Sequence, residues 1–153
     1  MTHLFLDSSA LIKRYLPEQG THWVRSLIAA SAGNLAIIAH ITSVEMLSGI
    51  SRRKREGLIT SRHAHAIRQL MERHVRDEYV TVGLTESIVS RAKDLLEQHP
   101  LRAYDAIQLA SALESHDRLV AANQPPIVFV TADQRLLEVA ATVGLAIDNP
   151  NNH

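Results

Sequence analysis

Cysteine is absent from this chain of 153 residues. Neither a disulfide framework nor a thiolate metal site can be built from it. Aromatic residues make up only 4%, so the core must come from Leu, Ile, Val and Ala. The formal net charge is zero, and bulk electrostatics therefore does not mark the chain as a nucleic-acid binder. Its apolar runs fall well short of the roughly 20 residues that span a bilayer. No charged leader followed by an apolar stretch opens the chain, so no secretory signal is read. A soluble cytoplasmic protein without membrane association is the expectation.

What remains is ample for one domain. The chain is 46% apolar, enough for a sizeable core at this length. Its basic residues are skewed, with 13 Arg to 3 Lys. That bias suits phosphate and carboxylate recognition, and it equally fits a GC-rich genome or a preference for Arg in helices.

Short apolar runs alternate with helical periodicity. Strands are predicted at about Leu4–Leu6, Leu35–Ala39, Tyr79–Val82, Ile127–Thr131 and Leu145–Ile147. A first helix is predicted over Ser9–Tyr15, capped by Ser8 or Ser9 and stopped before Pro17. Further helices are predicted from Thr21, from Thr42 or Ser43 to near Gly57, and from Ser61. Another runs from a Thr85 cap towards Pro100, the next from about Arg102 to Ser115, and the last starts at Asp133. This alternation predicts an α/β fold, a parallel sheet with helices on both faces. Residues 1–148 read as a single domain and residues 149–153 as a frayed C-terminal tail.

Two of the strand-like runs end in an aspartate. His3-Leu4-Phe5-Leu6 leads into Asp7, and Ile127-Val128-Phe129-Val130-Thr131-Ala132 leads into Asp133. In open α/β sheets, ligands bind at the carboxyl ends of the strands. Glu45 lies in the first turn of the helix after the second strand, and Asp105 lies near the start of the apolar helix after Pro100. Acids are common in first turns because the helix dipole favours them there. If strands one, two and four are neighbours, however, all four acids face one crevice. At about 6 Å and an effective dielectric near 20, each like-charge pair costs roughly 3 kcal/mol. A cation or raised pKa values must relieve such crowding. Oxygen ligands without Cys or clustered His suit Mg²⁺ or Mn²⁺, ions that clamp a scissile phosphate and activate water.

The residues around these acids resemble a known family. Leu4-Phe5-Leu6-Asp7-Ser8-Ser9-Ala10-Leu11-Ile12-Lys13 resembles the opening of a PIN domain. Ser43-Val44-Glu45, Arg102-Ala103-Tyr104-Asp105-Ala106-Ile107-Gln108-Leu109-Ala110 and Phe129-Val130-Thr131-Ala132-Asp133 are similar to its later acidic motifs, in the same order. Size and simplicity resemble the VapC-type toxins of bacterial toxin–antitoxin pairs. The resemblance implies a three-layer fold with a short, mostly parallel sheet of four to five strands and about seven helices. It implies a metal-dependent endoribonuclease acting on structured RNA such as tRNA or rRNA. Asp7 and Asp105 would be direct metal ligands, with Glu45 and Asp133 serving a second ion or orienting water. Thr131 and Ser8 would support them, Thr131 by bonding a carboxylate or a metal-bound water and Ser8 by touching phosphate. A homodimer and a cognate antitoxin partner are also implied.

Other signals are weaker. Arg52-Arg53-Lys54-Arg55 reads as a solvated helix end that complements the carbonyl dipole, or as an RNA-backbone or antitoxin contact. Lys13 and Arg14, shortly after Asp7, read as phosphate contacts or as solvated surface. His63 and His65 are two apart and do not share a helix face. No Gly-x-Ser-x-Gly elbow supports a serine hydrolase, and no Gly-x-Gly follows strand one. The alternative to a nuclease is a non-catalytic module of the same fold that binds RNA or protein.

Overall fold

The computed structural model describes all residues from Met1 to His153. Five strands form one fully parallel sheet. They are β1 (His3–Leu6), β2 (Leu35–Ala39), β3 (Val80–Val82), β4 (Ile127–Val130) and β5 (Ala146–Asp148), ordered β3-β2-β1-β4-β5. The first strand is therefore central, paired with β2 on one side and β4 on the other. All four of its residues are buried, which explains an unbroken apolar run where a half-exposed strand would alternate.

Side chains leave a strand on alternate faces, and the two cores follow that alternation. Phe5, Ile37, Ile127 and Phe129 point to one face, where the Phe5 and Phe129 rings stack with centroids 5.9 Å apart. This face is covered by α5 (Glu86–Gln98), α6 (Ala103–Ala121) and α7 (Gln134–Thr142). Alanines at 106, 110 and 112 keep α6 thin enough to lie close to the sheet and to α5. Leu4, Leu6, Ala36, Ile38 and Val130 point to the other face. There they meet α1 (Ser8–Leu11), α3 (Thr42–Arg55) and α4 (Ser61–Asp77), with α2 (Thr21–Leu27) at the margin. No helix is long and apolar enough to cross a membrane.

Three local features differ from the sequence expectation. The first helix is a single turn, capped by Asp7 rather than by Ser8 or Ser9, and it passes into a 3₁₀ turn over Ile12–Arg14. The sixth helix runs on past Ser115 to Ala121, because no breaker intervenes before Asn123, which takes φ 54° and turns the chain. The C-terminal residues are not frayed. Asn149 and Pro150 are buried, Pro150–Asn152 form a 3₁₀ turn, and the Gln19 amide donates to the Asn151 carbonyl at 2.7 Å. His153 stacks on Trp23 with ring centroids 4.1 Å apart and planes within 2°. The aromatic face of Trp23 gives the polar tail an apolar partner that its own composition does not reveal.

Candidate active site

All four acids arrive at the carboxyl end of the sheet by the same local logic. A strand ends, and the next helix begins with a carboxylate in its first turn or at its cap. Asp7 follows β1 directly, and its backbone N–H extends the ladder to Val130 O at 3.1 Å. Its Oδ1 accepts the Ala10 N–H at 3.0 Å, the cap of α1. Asp133 follows β4 and caps α7 by accepting the Leu136 N–H at 3.0 Å. Glu45 and Asp105 occupy the first turns of α3 and α6. Because β1 lies between β2 and β4, the segments carrying Glu45 and Asp133 flank Asp7 on either side.

Their exposure is graded. Asp7 is 3% exposed, Glu45 and Asp105 are half-buried, and Asp133 is exposed. Burial pushes the Asp7 carboxyl up to about 7, against the pull of its hydrogen bonds. Burial also raises Glu45 and Asp105 above the usual carboxylate range. Like charge adds to each: Glu45 repels Asp7, Asp105 repels Glu45, and Asp133 repels Asp105. The acids thus form an arc in which each senses its neighbour. Arg102 and Arg135 partly offset the repulsion at Asp105.

Two hydroxyl relays hold Asp7. The Ala132 N–H donates to Ser9 Oγ at 3.0 Å, and Ser9 in turn lies 2.8 Å from Asp7 Oδ1 and 3.0 Å from Oδ2. The Asp133 N–H donates to Thr131 Oγ1 at 3.1 Å, and Thr131 donates to Asp7 Oδ2 at 2.8 Å. Each hydroxyl accepts a backbone proton and so aims its own hydrogen at the carboxylate. With Ala10, three hydrogens reach Asp7. A carboxylate offers about four acceptor sites, which leaves room for about one further ligand. Of the two partners expected for Thr131, the structure contains the carboxylate, that of Asp7. Ser9 was not singled out from sequence, because its importance depends on Ala132 and Thr131 from the far end of the chain.

Glu45 has its own cradle. Ser8 donates to Oε2 at 3.2 Å, and Gln108 Nε2 donates to Oε1 at 2.7 Å. Ser8 thus touches an acid, where phosphate was the expectation. Gln108 carried no signal in the sequence beyond being the one polar residue in Ala106–Ala110.

The basic candidates divide. Lys13 is 5% exposed, and its ammonium is held by Glu18 at 3.2 Å and the Gln19 carbonyl at 2.9 Å. Arg14 pairs with Glu78 at 2.8 Å and donates to the Tyr79 hydroxyl, within a cluster that includes Tyr15 and His74. Neither is a freely solvated surface residue, one of the two expectations for them, and both cations are already paired with carboxylates. The run at residues 52–55 closes α3 as expected, and there Arg53 pairs with Glu18 at 3.1 Å.

The donor chemistry suits a hard divalent cation: oxygen atoms only, crowded carboxylates, and one free acceptor site on a preset Asp7. No three acidic or histidine side chains converge into a ready-made cage. Hydrated Mg²⁺ needs none, since it is held through one or two carboxylates and keeps several waters.

The fold is similar to that of several solved toxin–antitoxin proteins. FitAcB from Neisseria gonorrhoeae matches with TM-score 0.60 and 17% identity over 96% of this chain and 97% of that one. A toxin–antitoxin complex from Klebsiella pneumoniae gives 0.62 and 16% over 96% and 97%. VapC20 of Mycobacterium tuberculosis, a sarcin–ricin loop cleaving toxin, gives 0.62 and 14% over 94% and 96%. At these identities the likeness speaks for the fold. Comparison with curated proteins returns no match. The sequence model of the PIN domain matches residues 4–141, a stretch that includes all four acids. Strand order, acidic arc and sequence match agree, and the chain belongs to the PIN domain family.

Proposed function

We propose that this protein is a Mg²⁺- or Mn²⁺-dependent endoribonuclease, the toxin of a toxin–antitoxin pair, which hydrolyses phosphodiester bonds in structured RNA such as tRNA or rRNA. The observation that carries the reading is the acidic arc. Four carboxylates are gathered at one sheet rim, and three of them are pushed towards protonation by burial and by one another. A scaffold gains nothing from such crowding, whereas a cation site requires it.

Asp7 and Asp105 would hold a divalent cation, which would supply charge neutralisation at the scissile phosphate and activation of the attacking water. The chain's own residues do the positioning. Ser9, Thr131 and Ala10 fix the Asp7 carboxylate before substrate arrives, so little reorganisation remains for the reaction. Glu45 and exposed Asp133 serve a second ion or orient water from either side. Arg52, Lys54 and Arg55, which lie outside every ion pair of the structure, are assigned to the RNA backbone, where counterion release would supply affinity. Lys13 and Arg14 are committed to Glu18 and Glu78, and any phosphate contact from them would first have to break those pairs.

The proposed protein partner is a cognate antitoxin, acting on a homodimer in the cytoplasm. Support for a docked segment comes from a groove of about 300 Å³ between α3 and α4, lined by Val44, Leu47, Met71 and Val75. Val44, which precedes Glu45 in the chain, is 68% exposed there.

The test is inducible expression in a bacterial host, wild type beside Asp105→Asn, with new RNA ends sequenced. Growth arrest with a dominant cut site in the wild type alone is the expected result. In vitro, cleavage should require Mg²⁺ or Mn²⁺ and stop with chelator. RNA binding without cleavage across a broad panel would overturn the nuclease reading in favour of a non-catalytic module.

A further inference from the structure

Gln108 lies three residues beyond Asp105 on α6, so the two side chains share a helix face. It is 1% exposed, amid buried Ala106, Leu109, Ala110, Ala112 and Leu113. Its Nε2 donates to Glu45 Oε1 at 2.7 Å and to Thr42 Oγ1 at 2.9 Å. Ser8 donates to the other Glu45 oxygen at 3.2 Å. The two oxygens of Glu45 are thus gripped from two different helices, α6 and α1, neither of which carries Glu45 itself.

The Gln108 amide has one sensible orientation. Turned over, its carbonyl oxygen would face the Glu45 carboxylate with no proton between them. In the observed orientation Oε1 is buried and has no hydrogen-bond partner. Buried amide oxygens are nearly always paired, and an orphan costs stability. A side chain present for packing alone would be Leu or Met, which fill similar volume without a polar atom to bury. The position therefore carries a polar group at a cost, and the only charged group that the amide touches is Glu45.

We propose that Gln108 is a positioning residue that presents Glu45 to the divalent cation. The inference rests on the reading of Glu45 as part of a cation site. One helix then performs two tasks: Asp105 supplies a carboxylate, and Gln108, one turn on, aims the carboxylate of another helix.

The experiment measures Mn²⁺ affinity by electron paramagnetic resonance titration in wild type, Gln108→Met, Glu45→Gln and the double variant. Loss of an outer hydrogen-bond partner typically weakens metal binding about 10- to 100-fold. Gln108→Met is expected to weaken Mn²⁺ about tenfold, to slow single-turnover RNA cleavage with KM unchanged, and to melt no lower than wild type. The double variant should bind Mn²⁺ no more weakly than Glu45→Gln alone. Normal Mn²⁺ affinity in Gln108→Met overturns the proposal while leaving the metal reading intact. So does an equal further loss in the Glu45→Gln background, because Gln108 would then act independently of Glu45. A wild-type protein that takes up no Mn²⁺ removes the underlying reading, and the proposal with it. If Gln108→Met does not fold, Gln108→Asn, whose amide stops one methylene short of Glu45, is measured in the same way.

Discussion

Thr131 Oγ1 stands 2.8 Å from Asp7 Oδ2 and accepts the N–H of Asp133 at 3.1 Å, so one hydroxyl, 124 residues along the chain from Asp7, ties two acids together. Thr131→Val keeps the shape and removes both bonds. It leaves a buried carboxylate short of a donor and a backbone N–H short of an acceptor, a loss of about 1–3 kcal/mol. Urea unfolding at neutral pH should show that loss, and RNA cleavage should fall with it. Thr131→Ser should restore most of both. A valine variant as stable as wild type would remove Thr131 from the support of Asp7.

Asp7 predicts a pH effect whose sign follows from its raised pKa. The unfolded chain releases this proton near 3.8, and the folded chain holds it to about 7. Stability from this group is full below about pH 4, declines as pH rises from about 4 to about 7, and is at its lowest above that. The deficit at pH 8 is of the order of 4 kcal/mol. Asp7→Asn keeps a competent helix cap and removes the deficit. Without divalent ions it should therefore melt several degrees above wild type at pH 8, with the gap closing by pH 4. Mg²⁺ should raise the wild-type melting temperature and leave the variant unmoved. Equal melting temperatures at pH 8 would show that the Asp7 carboxylate carries no such burden.

Asp105 is half-buried and bonded to no other side chain in the structure. Asp105→Asn should fold with stability within about 0.5 kcal/mol of wild type, because the amide keeps the size of the side chain and an oxygen for the Arg102 backbone, and no side-chain hydrogen bond is lost. It should nonetheless lose RNA cleavage and weaken Mn²⁺ binding. Cleavage at the wild-type rate by this variant would sink the proposed site.

The C-terminal turn is tested at Gly20. That residue holds φ 84° and lies so close to Pro150 that a Cβ would collide with the Pro150 carbonyl. Gly20→Ala should cost about 1–3 kcal/mol, as overpacked sites do. It should also shift Trp23 emission to the red as His153 is displaced from the indole. Deleting residues 149–153 should give the same shift. Unchanged emission in the deletion would mean that the stacking does not persist in solution.

The acids that end an apolar run or open a helix were legible in the sequence, since both patterns are local. Asp7, Glu45, Asp105 and Asp133 stand out for that reason, and so does the parallel architecture. Ser9 and Gln108 were not legible, because a hydroxyl or an amide acquires its role from whatever lies opposite. For Ser9 that partner is Ala132, and for Gln108 it is Glu45, contacts made only in the folded chain. Lys13 misled for the complementary reason: a long charged side chain beside a site reads as surface until Glu18 is seen to cover it. The tail misled because Trp23, its platform, sits some 130 residues earlier.

The central place of β1 also sets an order of events. Chains are made from the N-terminus, so Asp7 leaves the ribosome before the residues that hold it. Thr131, which bonds Asp7 directly, follows 124 residues later, and Ala132 comes next. Until β4 docks beside β1, Asp7 has neither relay, and Asp133 is still to be joined to the arc. A nascent or truncated chain therefore lacks the completed arc for reasons of topology alone. On the proposed toxin reading, the interval in which a newly made molecule would need restraint by a partner begins only after β4 and Asp133 have emerged.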